Sequence, residues 1–89
     1  MSSNKNWDIK VDAAVYKVLK KFPRGDRDAI IAVLETIPRN PFVGDIEKIK
    51  GEEYSWRRRV GSYRIFYDLY IDARVIHVTE VRRRTSRTY

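Results

Sequence analysis

Hydrophobic and polar positions along this chain change period once, near the middle. Trp7, Ile9 and Val11 alternate with Asp8 and Lys10, the pattern of a short strand with one face inward. Asp12 is placed to cap a helix. Beyond it Val15, Val18, Leu19 and Phe22 return at helical spacing, while Lys17, Lys20 and Lys21 fall on the opposite side. Pro23-Arg24-Gly25 interrupts the pattern and Asp26 offers a second cap. Ile30, Val33, Leu34 and Ile37 then repeat the apolar stripe until Pro38 stops it. Two amphipathic helices joined by a turn must lay their apolar sides on another layer.

After the connector Pro38 to Gly44 the period becomes two. Ile46 and Ile49 flank Lys48, and a turn follows at Gly51-Glu52-Glu53. Tyr54 to Val60 reads as a strand, and Gly61-Ser62 as a two-residue hairpin turn of type II′. Tyr63, Ile65, Tyr67, Leu69 and Ile71 then share one face, with Arg64, Phe66, Asp68 and Tyr70 on the other. Asp72-Ala73-Arg74 turns the chain into a last strand, Val75 to Val81, with Ile76 and Val78 inward and His77 on the opposite parity. Residues 82–89 read as a basic tail. The predicted fold is α+β, one domain over residues 1–89: an N-terminal strand and a two-helix hairpin packed on one face of a twisted, mainly antiparallel sheet. Trp56, Tyr63 and Tyr67 are expected in the core, the tyrosines with partners for their hydroxyls.

Composition narrows the chemistry. There is no cysteine and one histidine, so a disulfide framework, a thiolate metal site and a cysteine nucleophile are excluded. No cofactor or metal is expected. Without an apolar leader or a long apolar run, the sequence reads as a soluble, cytoplasmic protein that does not enter membranes. The net charge of +7 is unevenly placed: residues 48–89 hold eleven Lys and Arg against five Asp and Glu, and nine of the eleven are arginine. Arginine favours planar, bidentate contacts with phosphate. A polyanion, most simply nucleic acid, is the partner this charge suits.

Strand parity decides which arginines act together. Arg57 and Arg59 share a face away from the helices, and across the Gly61-Ser62 turn Arg59 falls beside Arg64 and Arg57 beside Phe66. Arg58 is sent coreward, where its stem would snorkel out. A bound anion would relieve the repulsion of three clustered arginines. RNA brings its own nucleophile, the 2′-hydroxyl, and asks of a protein in-line positioning and charge stabilisation. Phe66 or Tyr89 would stack a splayed base, with Lys48 and Lys50 as general electrostatic contributors. The same features suit a plain RNA-binding domain, so composition and parity leave catalysis open.

The run Trp56-Arg57-Arg58-Arg59-Val60-Gly61-Ser62-Tyr63-Arg64-Ile65-Phe66-Tyr67 resembles the hairpin signature of the RelE/ParE toxin superfamily. Ile49-Lys50-Gly51, the helical hairpin and the arginine-rich end closing on Tyr89 are similar too, so the likeness extends from about Trp7 to Tyr89. The resemblance implies the toxin of a type II toxin–antitoxin pair, partnered by a cognate antitoxin, that enters the ribosome and cuts mRNA in the A site. Cleavage in such toxins is metal-free: the 2′-hydroxyl attacks the adjacent phosphate, leaving a 2′,3′-cyclic phosphate. By position, Arg57 and Arg59 match the basic residues before the hairpin and Arg64 the arginine that stabilises the phosphate. Arg83 or Arg84 matches the tail arginine that acts as general acid, Tyr89 the tail tyrosine that orients substrate, and Arg87 adds tail charge for RNA.

One departure concerns the base. Some RelE-like enzymes carry lysines where this chain has Arg57 and Arg59, and arginine does not readily lose its proton. The base is then Tyr89, a solvent or ribosomal group, or absent. Two other readings share the fold: a ParE-like inhibitor of DNA gyrase, and an inactive member that binds nucleic acid or antitoxin.

Overall fold

The computed structural model describes residues 6–83. In chain order the elements are β1 (Asp8–Val11), α1 (Ala13–Leu19), α2 (Arg24–Thr36), β2 (Ile46–Lys48), β3 (Ser55–Val60), β4 (Tyr63–Tyr70) and β5 (Val75–Arg83). The strands form one sheet in the order β1-β5-β4-β3-β2. β1 runs parallel to β5, and every other pairing is antiparallel. This is the α+β architecture that the change of period predicts. Neither helix is long and apolar enough to cross a membrane.

The alternating strands bury the residues assigned to their inward face. Tyr63, Ile65, Tyr67 and Leu69 of β4 and Ile76, Val78 and Val81 of β5 meet Val15 and Leu19 of α1, Ile30 and Leu34 of α2, and Ile37 just beyond. Trp7 closes one end, and Trp56 and Val60 pack against the cluster from β3. Both core tyrosines find partners: the Tyr67 hydroxyl donates to the Pro41 carbonyl at 3.0 Å and that of Tyr63 to Asp26 Oδ2 at 2.8 Å. Burial holds the Tyr67 phenol neutral up to about 12, although the nearby Arg58 charge pulls the other way.

Four local expectations are corrected. Asp12 does stand at the start of α1, but its side chain makes no cap bond. Its carboxylate lies 2.6 Å from His77 Nε2 instead, since parity puts both on the open side of the β1–β5 pair. Asp26 is not a cap either: α2 begins at Arg24, and Pro23, with extended backbone, stands at the cap position. Asp26 sits in the first turn, where it is free to accept from Tyr63. β4 ends at Tyr70, one residue early, leaving Ile71 57% exposed in the turn. Most consequentially, Arg82 and Arg83 belong to β5 and not to a tail. A register shift between Phe66 and Tyr67 lengthens the β4–β5 pairing to Arg83.

The hairpin turn is as predicted. Gly61 has φ of +57° while Ser62 does not enter the left-handed region, the signature of a II′ turn. That turn sets the register of β3 on β4, and so the site.

Candidate phosphate-binding face

On the sheet face away from the helices, register brings side chains into two adjoining cross-strand rows. The first is Arg59, Arg64 and Arg82, contributed by β3, β4 and β5. The second is Glu47, Arg57, Phe66 and Glu80, contributed by β2 to β5. Opposed side chains in such rows lie about 5 Å apart at Cβ. The predicted pairs, Arg59 with Arg64 and Arg57 with Phe66, are therefore present. Arg82 was not foreseen. It stands opposite Arg64, and its Cζ lies 5.1 Å above the Phe66 ring in a cation–π contact.

The arginines are not alone. Arg57 donates to Glu47 Oε1 through Nη2 and, at 3.1 Å, through Nε. Arg59 Nε lies 3.4 Å from Asp45 Oδ2. Its backbone N–H also donates to the Asp45 carbonyl at 2.9 Å, which holds that residue alongside. Arg82 grips Glu80 through Nε at 2.5 Å and Nη2 at 3.3 Å, and these bonds raise its already high pKa further. Carboxylates thus supply much of the charge relief that the sequence assigns to a bound anion. Arg64 differs. It is half-buried and pairs with no carboxylate among the described residues. A small cleft of about 20 Å³, roomy enough for one oxygen-sized group, opens between Asp45, Glu47, Arg57, Arg59 and Arg64.

Other expected site residues lie elsewhere. Lys48 pairs with Trp56 and therefore faces the helix side, where it lines a separate groove with Tyr54 and Leu69. Lys50 is exposed in the turn after β2 and lines no part of the arginine cleft. Arg83 pairs with Tyr63 and takes the side opposite Arg64. Its charge pulls down the pKa of Tyr63, which burial and Asp26 more than offset. Arg84, Arg87 and Tyr89 lie outside the described residues. Strand parity in β2 is the signal that would have found Glu47. Ile46 and Ile49 cannot both face inward from one strand, and Ile46 inward places Glu47 on the arginine side. Asp45 carried no such signal, because it lies in the connector ahead of β2. Arg82 was hidden by the shift near Phe66, which upsets simple counting along β5.

Chemically, the face offers three guanidinium groups in a row, that of Arg64 without a carboxylate partner among the described residues, beside a carboxylate and an aromatic ring. Such a combination has the chemistry to pair with a phosphodiester, with a proton acceptor beside it.

Residues 10–87 match the sequence model of the family described as the ParE toxin of type II toxin–antitoxin system, parDE. A protein of Methanocaldococcus jannaschii named as toxin RelE1 is 28% identical over 81 residues, covering 88% of this chain and 90% of that one. Among solved structures, the archaeal RelE–RelB complex from Pyrococcus horikoshii contains a chain with a TM-score of 0.80 and 21% identity, over 92% of this chain and 99% of that one. A chain of the RelB–RelE antitoxin–toxin complex from Methanococcus jannaschii has a TM-score of 0.68 and 29% identity, over 82% and 87% of the two chains. The hairpin signature, the fold and the match over most of its length agree: the chain belongs to the RelE/ParE superfamily, as a toxin of the type II toxin–antitoxin systems.

Proposed function

We propose that this toxin cleaves mRNA in the ribosomal A site by metal-free transesterification, held in check by a cognate antitoxin. The observation that carries the reading is the row Arg59-Arg64-Arg82, in which Arg64 alone has no carboxylate partner among the described residues. A phosphate seated there takes Arg64 first and shares Arg59 and Arg82 with their acids. As the 2′-oxygen attacks, negative charge builds on the non-bridging oxygens of phosphorus. Fixed guanidinium groups stabilise that charge more than they stabilise the ground state.

The proton of the 2′-hydroxyl needs an acceptor, which Arg57 and Arg59 do not provide. Glu47 is in the same cleft and is oriented by two bonds from Arg57. In this reading Glu47 accepts the proton and Arg57 positions it, so the missing lysine is no obstacle. The 5′-oxygen leaves with a proton from the tail. Of the two arginines that the resemblance leaves for this role, Arg83 points to the other face, which favours Arg84, beyond the described residues.

The test is toeprinting on ribosomes programmed with a defined mRNA and an empty A site, with naked RNA as control. The wild type is expected to leave a new 5′ end at the A-site codon. Arg64→Ala is expected to abolish it, and Glu47→Gln to slow it by about 10²–10⁴-fold with ribosome binding retained. No cut by correctly folded wild type sinks the proposal. A second reading has a specific observation behind it: the matching family model is that of ParE toxins. Inhibition of DNA gyrase supercoiling by the same preparation, with no cut on the ribosome, would establish that reading instead.

A further inference from the structure

The triplet Arg57-Arg58-Arg59 divides between the two sides of β3. Arg58 pairs with Ile65 and so points to the helix side. Its guanidinium lies against Gly44, where an added β-carbon would fall 2.3 Å from Arg58 Cζ. Nη1 donates to the Val43 carbonyl at 3.0 Å. Nε is buried with no partner among the described residues. A second arginine, Arg39, stands just beyond α2 and pairs with no carboxylate among the described residues. Thr36, Arg39, Asn40, Val43 and Arg58 together line a groove of about 320 Å³.

The polar chemistry of this groove is weighted toward donors, with the Thr36 hydroxyl oxygen remaining as a side-chain acceptor. Asn40 Oδ1 already accepts from the Phe42 N–H at 3.0 Å, so its amide is left to donate. The Thr36 hydroxyl donates to the Val33 carbonyl at 2.7 Å. The two guanidinium groups add fixed positive charge and no acceptor. Arg58 and Arg39 both line the groove with no carboxylate among the described residues, and a carboxylate supplies acceptors and the opposite charge to their guanidinium groups. The walls are partly apolar, with Val43 57% exposed. An aliphatic stem carrying the carboxylate, with an apolar residue beside it, matches those walls.

We propose that this groove seats an Asp or Glu side chain, next to an apolar residue, of the antitoxin. The assignment rests on membership of a toxin–antitoxin family and not on mRNA cleavage. It gives the antitoxin a hold on the side of the sheet opposite Arg64, through the middle member of the same arginine triplet. The contact is separate from any that covers the phosphate-binding row.

The test uses the full chain labelled with ¹⁵N-arginine, read by the Nε–H signals of Arg58 and Arg39. Three probes are titrated: acetyl-Leu-Glu-Leu-amide, its Gln counterpart and inorganic phosphate. The Glu peptide is expected to move both signals and the Gln peptide neither. Binding is expected to weaken about tenfold in Arg39→Gln, an exposed change that spares the fold. The response is expected to persist in Arg64→Ala, which separates this result from the fate of the cleavage reading. Three results overturn the proposal: silence with the Glu peptide, equal shifts with the Gln peptide, or shifts with phosphate but not with the Glu peptide.

Discussion

Arg82 and Arg83 are chemically identical neighbours with opposite surroundings. Arg82 lies beside Arg64 and over Phe66, whereas Arg83 pairs with Tyr63 on the helix side. Arg82→Ala is therefore expected to lower kcat/KM for ribosomal cleavage by about a hundredfold, the usual effect of losing one charge-stabilising donor. Arg83→Ala is expected to stay within about twofold of wild type, as surface charges generally do. Single-turnover assays on programmed ribosomes check both. Tyr67 makes a separate prediction about stability. Burial raises its folded pKa from the ordinary 10.0 to about 12, so the folded state binds the phenolic proton more tightly than the unfolded state. The stability this contributes is complete below pH 10 and is lost as pH climbs through 12. Denaturant melts at pH 8 and pH 11 are expected to show that loss in the wild type. Tyr67→Phe is expected to show a smaller loss, from a baseline lower by about 1 kcal/mol for the bond to Pro41.

At the scale of elements, the connector from Pro38 to Asp45 does more than join α2 to β2. Pro41 accepts from Tyr67, Val43 accepts from Arg58, and Asp45 pairs with Arg59. Gly44 makes this path possible. Its φ of +102° lies where other residues are strained, and Arg58 fills the space a side chain would need. Gly44→Ala is expected to cost about 1–3 kcal/mol and to displace the Arg58 guanidinium from Val43. Thermal melts measure the first effect and the Arg58 Nε–H signal the second. The helices, the alternating strands and the II′ turn were legible because each follows from local periodicity and turn chemistry. The connector was not, because its bonds join residues up to 26 apart in sequence. Asp12 and Asp26 show the same limit. Both had the chemistry of a cap and the spacing of a cap, yet tertiary partners at His77 and Tyr63 took their carboxylates.

Across the whole molecule, the excess positive charge is arranged in two directions. One set of arginines faces outward from the sheet, Arg64 with no carboxylate partner among the described residues, and Arg58 faces the helix side with Arg39 beyond it. Asp45, Glu47 and Glu80 temper the first set, so affinity for RNA is expected to be moderate and its salt dependence shallow for so basic a face. In fluorescence titrations with a single-stranded RNA, the slope of log K against log salt is expected to fall by about 0.7 in Arg64→Ala. Asp45→Asn is expected to tighten binding a few-fold, by releasing Arg59, at a stability cost of no more than about 1 kcal/mol.

The amino-acid sequence by itself determined the two layers of this protein, the inward set of β4 and the pairing of Arg57 with Phe66 and Arg59 with Arg64. Each of these depends on residues close in the chain and on the two-residue alternation of strands. Only the tertiary structure decided that Glu47 and Asp45 share the arginine cleft, that Arg82 and not Arg83 joins Arg64, and that the guanidinium of Arg58 lies against Gly44 and bonds Val43. Those outcomes depend on the placement of β2 and the connector, and on one register shift in β5. A charge is local to its residue, but the charges it meets are chosen by the packing of strands far apart in sequence.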